Sequence, residues 1–75
     1  MEVMKRYKKS QLSKTIRKYI ATKEKELNRK CGMIWEFTNP KGDTYLFANF
    51  NRNRDNLIVT VGYYEPRLHH FVKPQ

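Results

Sequence analysis

Cysteine, acidic residues and long apolar runs are all scarce in this 75-residue sequence. The single cysteine, Cys31, excludes an intramolecular disulfide, and with the adjacent His69 and His70 it cannot form a zinc-ligand spacing. No apolar run approaches the roughly 20 residues that cross a bilayer. No apolar core of about 7–15 residues follows the basic N-terminus, as a secretory signal would require. We therefore expect a cytoplasmic, reduced protein with no metal, no cofactor and no membrane partner.

The chain is also too short for more than one domain, because single cores usually need about 50–200 residues. A catalytic pocket of ordinary size is difficult to build at this length, so we expect no enzymatic activity. The pattern divides the sequence into a basic N-terminal arm (1–9), one small α+β domain (10–64) and an extended tail (65–75) that contains two prolines.

Acidic side chains are outnumbered, with seven Asp and Glu against 16 Lys and Arg, for a formal net charge of +9. The excess lies in residues 1–30, which hold eleven basic and three acidic residues, whereas residues 31–75 hold five and four. A basic half joined to a nearly neutral half is typical of a polyanion-binding surface on a folded scaffold. The alternative is a solvated surface that serves only solubility.

Residues 10–31 have the apolar spacing of an amphipathic helix. At about 100° per residue, five apolar side chains fall within about 100° of one another, the width of a stripe that faces a core. These are Leu12, Ile16, Tyr19, Ile20 and Leu27. Ser10 is expected to cap the N-terminus of the helix, and Gly32 to follow its C-terminus.

The second half of the chain has the composition of β-strands. Residues 33–38, 44–50 and 57–64 are rich in β-branched and aromatic side chains, and short loops full of turn-forming residues separate them. Short loops join antiparallel neighbours. The predicted fold is therefore α+β in the order α-β-β-β, one N-terminal helix packed on a three-stranded antiparallel meander.

The turn at Asn39–Gly42 predicts the strand register, because Asn, Pro and Gly occupy the positions favoured by a type I turn that continues into a bulge. The expected pairs are Phe37 with Tyr45, Trp35 with Phe47, Phe50 with Leu57, Ala48 with Val59, and Leu46 with Val61. One face then carries Ile34, Leu46, Ala48, Phe50, Leu57, Val59 and Val61. The other carries Trp35, Phe37, Tyr45, Phe47, Ile58 and Tyr64. A four-residue first loop would instead turn Trp35 and Phe37 toward the helix.

The face of the helix opposite the apolar stripe is basic and holds no acidic residue. Its four side chains fall within about 60° of one another, which suits contact with successive phosphates of DNA or RNA. The predicted nucleic-acid contacts are Lys14, Lys18, Lys25 and Arg29 on the helix, Arg52 and Arg54 in the loop 51–56, and Lys5, Arg6, Lys8 and Lys9 in the arm. A merely solvated helix face is the alternative.

The aromatic sheet face has no second helix to cover it, and an exposed apolar patch of this size usually marks an interface. Its candidate residues are Trp35, Phe37, Tyr45, Phe47 and Tyr64. They could stack unpaired bases, form a homodimer seam, dock on a protein partner, or be covered by the arm or the tail.

The leading functional hypothesis is a small, non-catalytic nucleic-acid-binding protein. The second is a protein-interaction module, such as an inhibitor or an accessory subunit, that docks through the aromatic face. A third and weaker hypothesis is a ribonuclease-type toxin that uses His69 and His70, the only side chains that titrate near neutral pH.

Overall fold

The structure is a computed structural model that describes residues 5–74. Residues 1–4 of the predicted arm and residue 75 of the predicted tail lie outside this range. The elements are β1 (Arg6–Tyr7), a 3₁₀ turn (Lys9–Gln11), α1 (Lys14–Leu27), β2 (Lys30–Thr38), β3 (Thr44–Arg52), β4 (Asp55–Glu65) and β5 (His70–Val72). The strands form one curled antiparallel sheet in the order β1-β2-β3-β4-β5. The α+β class is confirmed, but the predicted three-stranded sheet is wrong because five strands are present.

The two additional strands lie at the edges of the sheet. Arg6 and Tyr7 pair with Trp35 and Ile34 of β2, and the backbone N–H of Glu36 donates to the Lys5 carbonyl at 2.9 Å. At the other edge, β5 pairs with the end of β4. Two- and three-residue strands are too short to show the alternation that identifies a strand in a sequence.

Helix α1 begins and ends inside the predicted bounds. The backbone N–H of Ile16 donates to the Ser13 hydroxyl at 3.3 Å, so Ser13 is the N-cap and the predicted cap Ser10 lies in the 3₁₀ turn. Asn28 ends the helix in the left-handed conformation with φ of 53°. Asparagine tolerates this conformation better than most residues. The expectation that Gly32 follows the helix is therefore wrong.

The core lies between α1 and the inner, helix-facing side of the sheet. Leu12, Ile16 and Ile20 are buried against five residues of β2, β3 and β4. These five are Ile34, Leu46, Ala48, Phe50 and Val61. Of the remaining residues predicted for this face, Val59 packs at the edge of the core, and Leu57 is 37% exposed.

The predicted register holds except at one bulge. Four predicted pairs are present: Phe37 with Tyr45, Trp35 with Phe47, Phe50 with Leu57, and Ala48 with Val59. Leu46, however, pairs with Gly62 instead of Val61, because β4 carries one extra residue opposite the Leu46–Phe47 step. Beyond the bulge each side chain of β4 changes face. Tyr63 therefore lies opposite Tyr45 on the outer face, and Tyr64 turns to the inner side.

A second bulge lies in β2, where two residues, Gly32 and Met33, lie opposite the single residue Asn49. The extra residue turns both Cys31 and Ile34 toward the core, although they are three positions apart. Cys31 is half-buried and Ile34 is buried. Gly32 therefore belongs to a strand, where its small size suits the bulge.

The two edges of the curled sheet meet on the inner side. The Tyr7 ring lies 6.0 Å from the Phe71 ring in an edge-to-face arrangement, and Phe71 lies 5.5 Å from Tyr64 in the same way. Tyr7 and Phe71 also pack against the buried core. Within residues 5–74, no helix combines the length and apolar character needed to cross a membrane.

Candidate nucleic-acid interface

The solvent face of α1 carries a row of lysines. Lys14, Lys18 and Lys25 are exposed and lie within about 40° of one another at 100° per residue. The ion pairs within residues 5–74 are Lys9–Glu24, Lys23–Glu26 and Arg29–Asp55, so the row is not neutralised by any described carboxylate. Arg17 is also exposed and flanks the row. Arg17 lies outside the narrow predicted stripe and is not among the predicted contacts.

Arg29, the fourth residue of the predicted stripe, lies beyond the end of α1 and is largely buried. Its Nη2 donates to Asp55 Oδ2 at 2.6 Å, and its Nη1 donates to the carbonyls of Asp55 at 3.3 Å and Phe50 at 3.5 Å. Its side chain is only 17% exposed. Arg29 therefore connects the helix end to the β3–β4 hairpin as well as contributing a positive charge.

A groove of about 550 Å³ lies between the C-terminal end of α1 and the adjoining ends of β2 and β3. Four cations line it: Lys25, Arg29, Lys30 and Arg52. This lining, which we call the basic groove, brings Lys25 and Arg29 of the predicted helix stripe together with the predicted loop arginine Arg52. Lys30 is not among the predicted contacts, because at 100° per residue it falls on the apolar side of the predicted helix.

Glu24 is the one carboxylate that lines the basic groove, and it is already engaged. Its Oε2 accepts a hydrogen bond from the backbone N–H of Cys31 at 2.8 Å and lies 3.4 Å from Lys9 Nζ. The Lys9 ammonium therefore offsets the charge of Glu24. The groove keeps a positive balance.

The other predicted cations are distributed over the remaining surface. Lys8 is exposed before the 3₁₀ turn, and Arg54 is exposed in the two-residue turn between β3 and β4. The Lys5 ammonium lies 5.2 Å from the centre of the Tyr7 ring. Arg6 is exposed and pairs with Trp35, so both occupy the outer side of the sheet. The structure therefore brings only part of the predicted set into one place.

The outer face of the sheet carries a cluster of five aromatic side chains, here called the aromatic platform. The platform consists of Trp35, Phe37, Tyr45, Phe47 and Tyr63. Phe47 is central, with ring-centre distances of 5.9, 6.1 and 6.2 Å to Trp35, Phe37 and Tyr45. Tyr63 lies 5.5 Å from Tyr45, in the position predicted for Tyr64.

Neither end of the described chain covers the platform. Tyr7 of β1 and Phe71 of β5 turn their rings to the inner side, where they contact each other. Phe37 remains 40% exposed, and Ile58 beside the platform is 58% exposed. The rings of Tyr7 and Phe71 therefore do not cover this face, on which Phe37 is exposed and Trp35, Tyr45, Phe47 and Tyr63 are half-buried.

His69 and His70 lie at the rim of a separate inner cavity of about 290 Å³. His69 has a φ of 57°, and its backbone N–H donates to the Glu65 carbonyl at 2.9 Å. His70 Nδ1 lies 3.0 Å from the Phe71 carbonyl oxygen. Among the described residues that line this cavity, none carries a carboxylate to orient an imidazole or a Lys or Arg to hold a phosphate.

Two half-buried groups, the Tyr7 hydroxyl and the Cys31 thiol, have raised pKa values. Burial, followed by the hydrogen bond to Glu36 and that group's negative charge, raises the pKa of Tyr7. Burial also raises the pKa of the Cys31 thiol, which disfavours the reactive thiolate. Within residues 5–74, no cluster of three His, Cys, Asp or Glu side chains could hold a metal ion.

Comparison with known proteins returns no similar family, no similar curated protein and no similar solved structure.

Proposed function

We propose that this protein is a small, non-catalytic nucleic-acid-binding protein that contacts phosphates through the lysine row of α1 and the basic groove. One observation carries the proposal. Cations from α1, from β2 and from the end of β3 line a single groove, and Lys25 belongs both to that groove and to the lysine row. A phosphate backbone that follows the row reaches the groove without crossing an unpaired carboxylate among the described residues.

Counterion release is the expected source of affinity. Each phosphate neutralised by Lys or Arg releases condensed cations, so the affinity falls steeply as salt rises. Arg29 suits this role because hydrogen bonds hold its guanidinium at the groove, which reduces the entropy lost on binding. The exposed cations Lys5, Arg6, Lys8 and Arg54 add to the long-range attraction, whereas Lys9 is paired with Glu24.

Fluorescence anisotropy with labelled DNA and RNA, from about 50 to 200 mM salt, tests the proposal. The variant Lys18→Glu/Lys25→Glu reverses two charges in the interface. The control Lys41→Glu/Arg67→Glu reverses two exposed charges in the turns at the other end of the sheet, so both variants have the same net charge.

We expect the interface variant to weaken binding strongly. The slope of log affinity against log salt should fall by about 0.7–0.9 for each phosphate that the protein no longer neutralises. The control should change affinity much less. Equal weakening by both variants would mean that only net charge matters, and no binding at low salt would reject the proposal.

The alternative, a protein-interaction module, has one observation in its favour, which is the uncovered aromatic platform. This alternative does not require the lysine row for binding. If the protein only docks on a protein partner through the platform, the Lys18→Glu/Lys25→Glu variant keeps its interaction. Replacing platform residues removes it.

A further inference from the structure

We propose that the aromatic platform stacks unpaired bases, so that the preferred ligand is single-stranded nucleic acid whose phosphates occupy the basic groove. This inference rests on the proposed function and specifies its ligand. Base–aromatic stacking tolerates any sequence, because every base has a π-face. Duplex DNA or RNA keeps its bases stacked inside the helix and would leave the platform unused.

The arrangement of the rings favours stacking. Three adjacent strands contribute the five side chains, and Phe47 on the middle strand β3 joins Trp35 and Phe37 of β2 to Tyr45. The ring planes of Tyr45 and Phe47 differ by only 26°. The platform therefore presents two rings of similar tilt along β3, whereas its other neighbouring ring planes differ by 42–59°.

The two ends of the sheet differ in net charge. Asp43 and Glu65 lie at the end where β2 and β4 finish, and the exposed Lys41 and Arg67 of the adjoining turns offset their charge. Lys30 lies at the opposite end, and Arg6 lies beside Trp35 at the edge. A polyanion would thus be attracted to the platform from its Lys30 end and along its Arg6 edge.

The basic groove and the platform are neighbours at that end. Lys30 and Asn51 pair across β2 and β3 one residue beyond the inward-facing pair Cys31 and Phe50, so they are on the outer side. Both also line the basic groove. Asn51 lies four positions along β3 from Phe47, a distance of about 13 Å at about 3.3 Å per residue. A single strand that leaves the groove therefore reaches the platform along β3.

Charge complementarity argues for this ligand over a second copy of the chain. Each chain carries +9, with the excess in residues 1–30, and a second copy would leave those cations unmatched. A single strand supplies both the anions for the cations and the apolar faces for the rings. The phosphates of the strand can therefore pair with the cations while its bases lie against the aromatic rings.

The test compares four probes with the unmodified chain: a single-stranded oligonucleotide, the same sequence as a duplex, an abasic strand of equal length, and inorganic polyphosphate. Trp35 is the only tryptophan, so its fluorescence reports directly on the platform. We expect quenching by the single strand only. The abasic strand and polyphosphate should bind with a similar salt slope but without quenching.

Phe37→Leu and Tyr45→Leu remove one ring each from the platform while keeping an apolar side chain. Each should weaken single-strand binding by about 5- to 150-fold, since stacking contributes about 1–3 kcal/mol per base, and should leave duplex and polyphosphate affinity unchanged. Leu68→Ala is the matched control, because Leu68 is 54% exposed in the β4–β5 turn, away from the platform. A thermal melt of each variant is the check that it is folded.

The outcomes distinguish base stacking on the platform from phosphate binding in the basic groove. Equal affinity for single strand and duplex, with no effect of Phe37→Leu, overturns the platform proposal and leaves phosphate binding standing. No binding of any polyanion rejects both. Concentration-dependent dimerisation that Phe37→Leu abolishes, or capture of an acidic protein that competes with the oligonucleotide for Trp35, assigns the platform to a protein partner and overturns the proposal.

Discussion

The Arg29 guanidinium donates to the Asp55 carboxylate at 2.6 Å, and this bond ties the end of α1 to the start of β4. Asp55 is 70% exposed, whereas Arg29 is 17% exposed. The pair therefore contributes little to stability, because water screens the exposed partner. It does reduce the positive charge that Arg29 can present to a phosphate in the basic groove.

Asp55→Asn should therefore bind nucleic acid more tightly. Removing one negative charge at the groove should raise affinity about fivefold at low salt, which corresponds to about 1 kcal/mol for a surface charge pair. Unfolding free energy should fall by no more than about 1 kcal/mol. Asp43→Asn removes the same charge at the far end of the sheet and is the control in an anisotropy titration. Unchanged or weaker binding by Asp55→Asn would remove Arg29 from the phosphate contacts.

Tyr7→Phe should change the alkaline limit of stability. The folded-state pKa of Tyr7 lies above its unfolded value of about 10. The contribution of Tyr7 to the free energy of unfolding is thus complete below about pH 10. It is lost as pH rises further, since the Tyr7 hydroxyl ionises first in the unfolded chain. At neutral pH the variant should lose about 1.5 kcal/mol for the hydrogen bond to a carboxylate. Urea unfolding of both proteins between pH 8 and about pH 11 tests this.

The expected sign is a smaller alkaline loss of stability in Tyr7→Phe than in the unmodified chain. Tyr63→Phe on the outer face is a suitable control, because it removes a hydroxyl that accepts or donates no hydrogen bond to another described residue. Parallel pH dependence in Tyr7→Phe and the unmodified protein would contradict the role given to the Tyr7–Glu36 bond.

Gly62→Ala should destabilise the core at the β4 bulge. A Cβ at this position would lie 3.1 Å from Leu46 Cβ and 3.4 Å from Ile16 Cδ1. Such overpacking costs about 1–3 kcal/mol. Leu46→Ala alone should cost about 2–5 kcal/mol through a cavity. In the double variant the two effects should be less than additive, since Leu46→Ala removes Cδ2, which would lie 3.3 Å from the new methyl group. Strict additivity in urea unfolding would mean that the contact with Leu46 Cβ, which alanine keeps, accounts for the whole clash.

Asn28→Gly should stabilise the chain at the end of α1. The left-handed φ of 53° is strained for a side chain and free of strain for glycine. We expect a gain of about 0.5 kcal/mol, and a loss of about 1 kcal/mol in Asn28→Ala, which keeps the strain without the amide. Circular dichroism melts should show shifts of about 4–8 °C per kcal/mol for a domain of this size. A lower melting temperature for Asn28→Gly would show that the asparagine side chain matters more than its backbone.

The main packing of the fold could be predicted from the sequence because it depends on local chemistry. The Asn39–Gly42 turn sets a three-residue loop, and the pairs Phe37–Tyr45 and Trp35–Phe47 follow from its parity. The apolar stripe of α1 likewise identifies Ile16 and Ile20 as core residues. Each inference needs only a short window of sequence.

The wrong predictions, such as the face of Tyr64 and the cap Ser10, concern features that a short stretch of sequence does not contain. At the bulge at Val61, Gly62 lies close beside Leu46 on the neighbouring strand, and the extra residue exchanges the faces of Tyr63 and Tyr64. Ser10 and Ser13 are equally good caps on composition. Ser10 lies within the 3₁₀ turn, and Ser13 is the residue that caps α1.

The candidate site shows the same division. The lysine row repeats with the helical period and is visible in the sequence. The basic groove unites Lys25, Arg29 and Arg52 only after the β2–β3 hairpin packs beside the helix end. No spacing in the sequence indicates that these three residues meet, and Lys30 falls on the apolar side of the predicted helix, away from the predicted basic stripe.

The strand order has a consequence for how the chain folds and opens. Every pairing from β2 to β5 joins neighbours in sequence, so each requires the closure of only a short loop. The β1–β2 pairing is the exception, because α1 lies between its partners. We expect the β2–β3–β4 meander to form early and β1 to join last, with its amide protons exchanging fastest in the native state. Release of β1 would part Tyr7 from Phe71 and open the inner cavity, while the basic groove and the aromatic platform stay assembled.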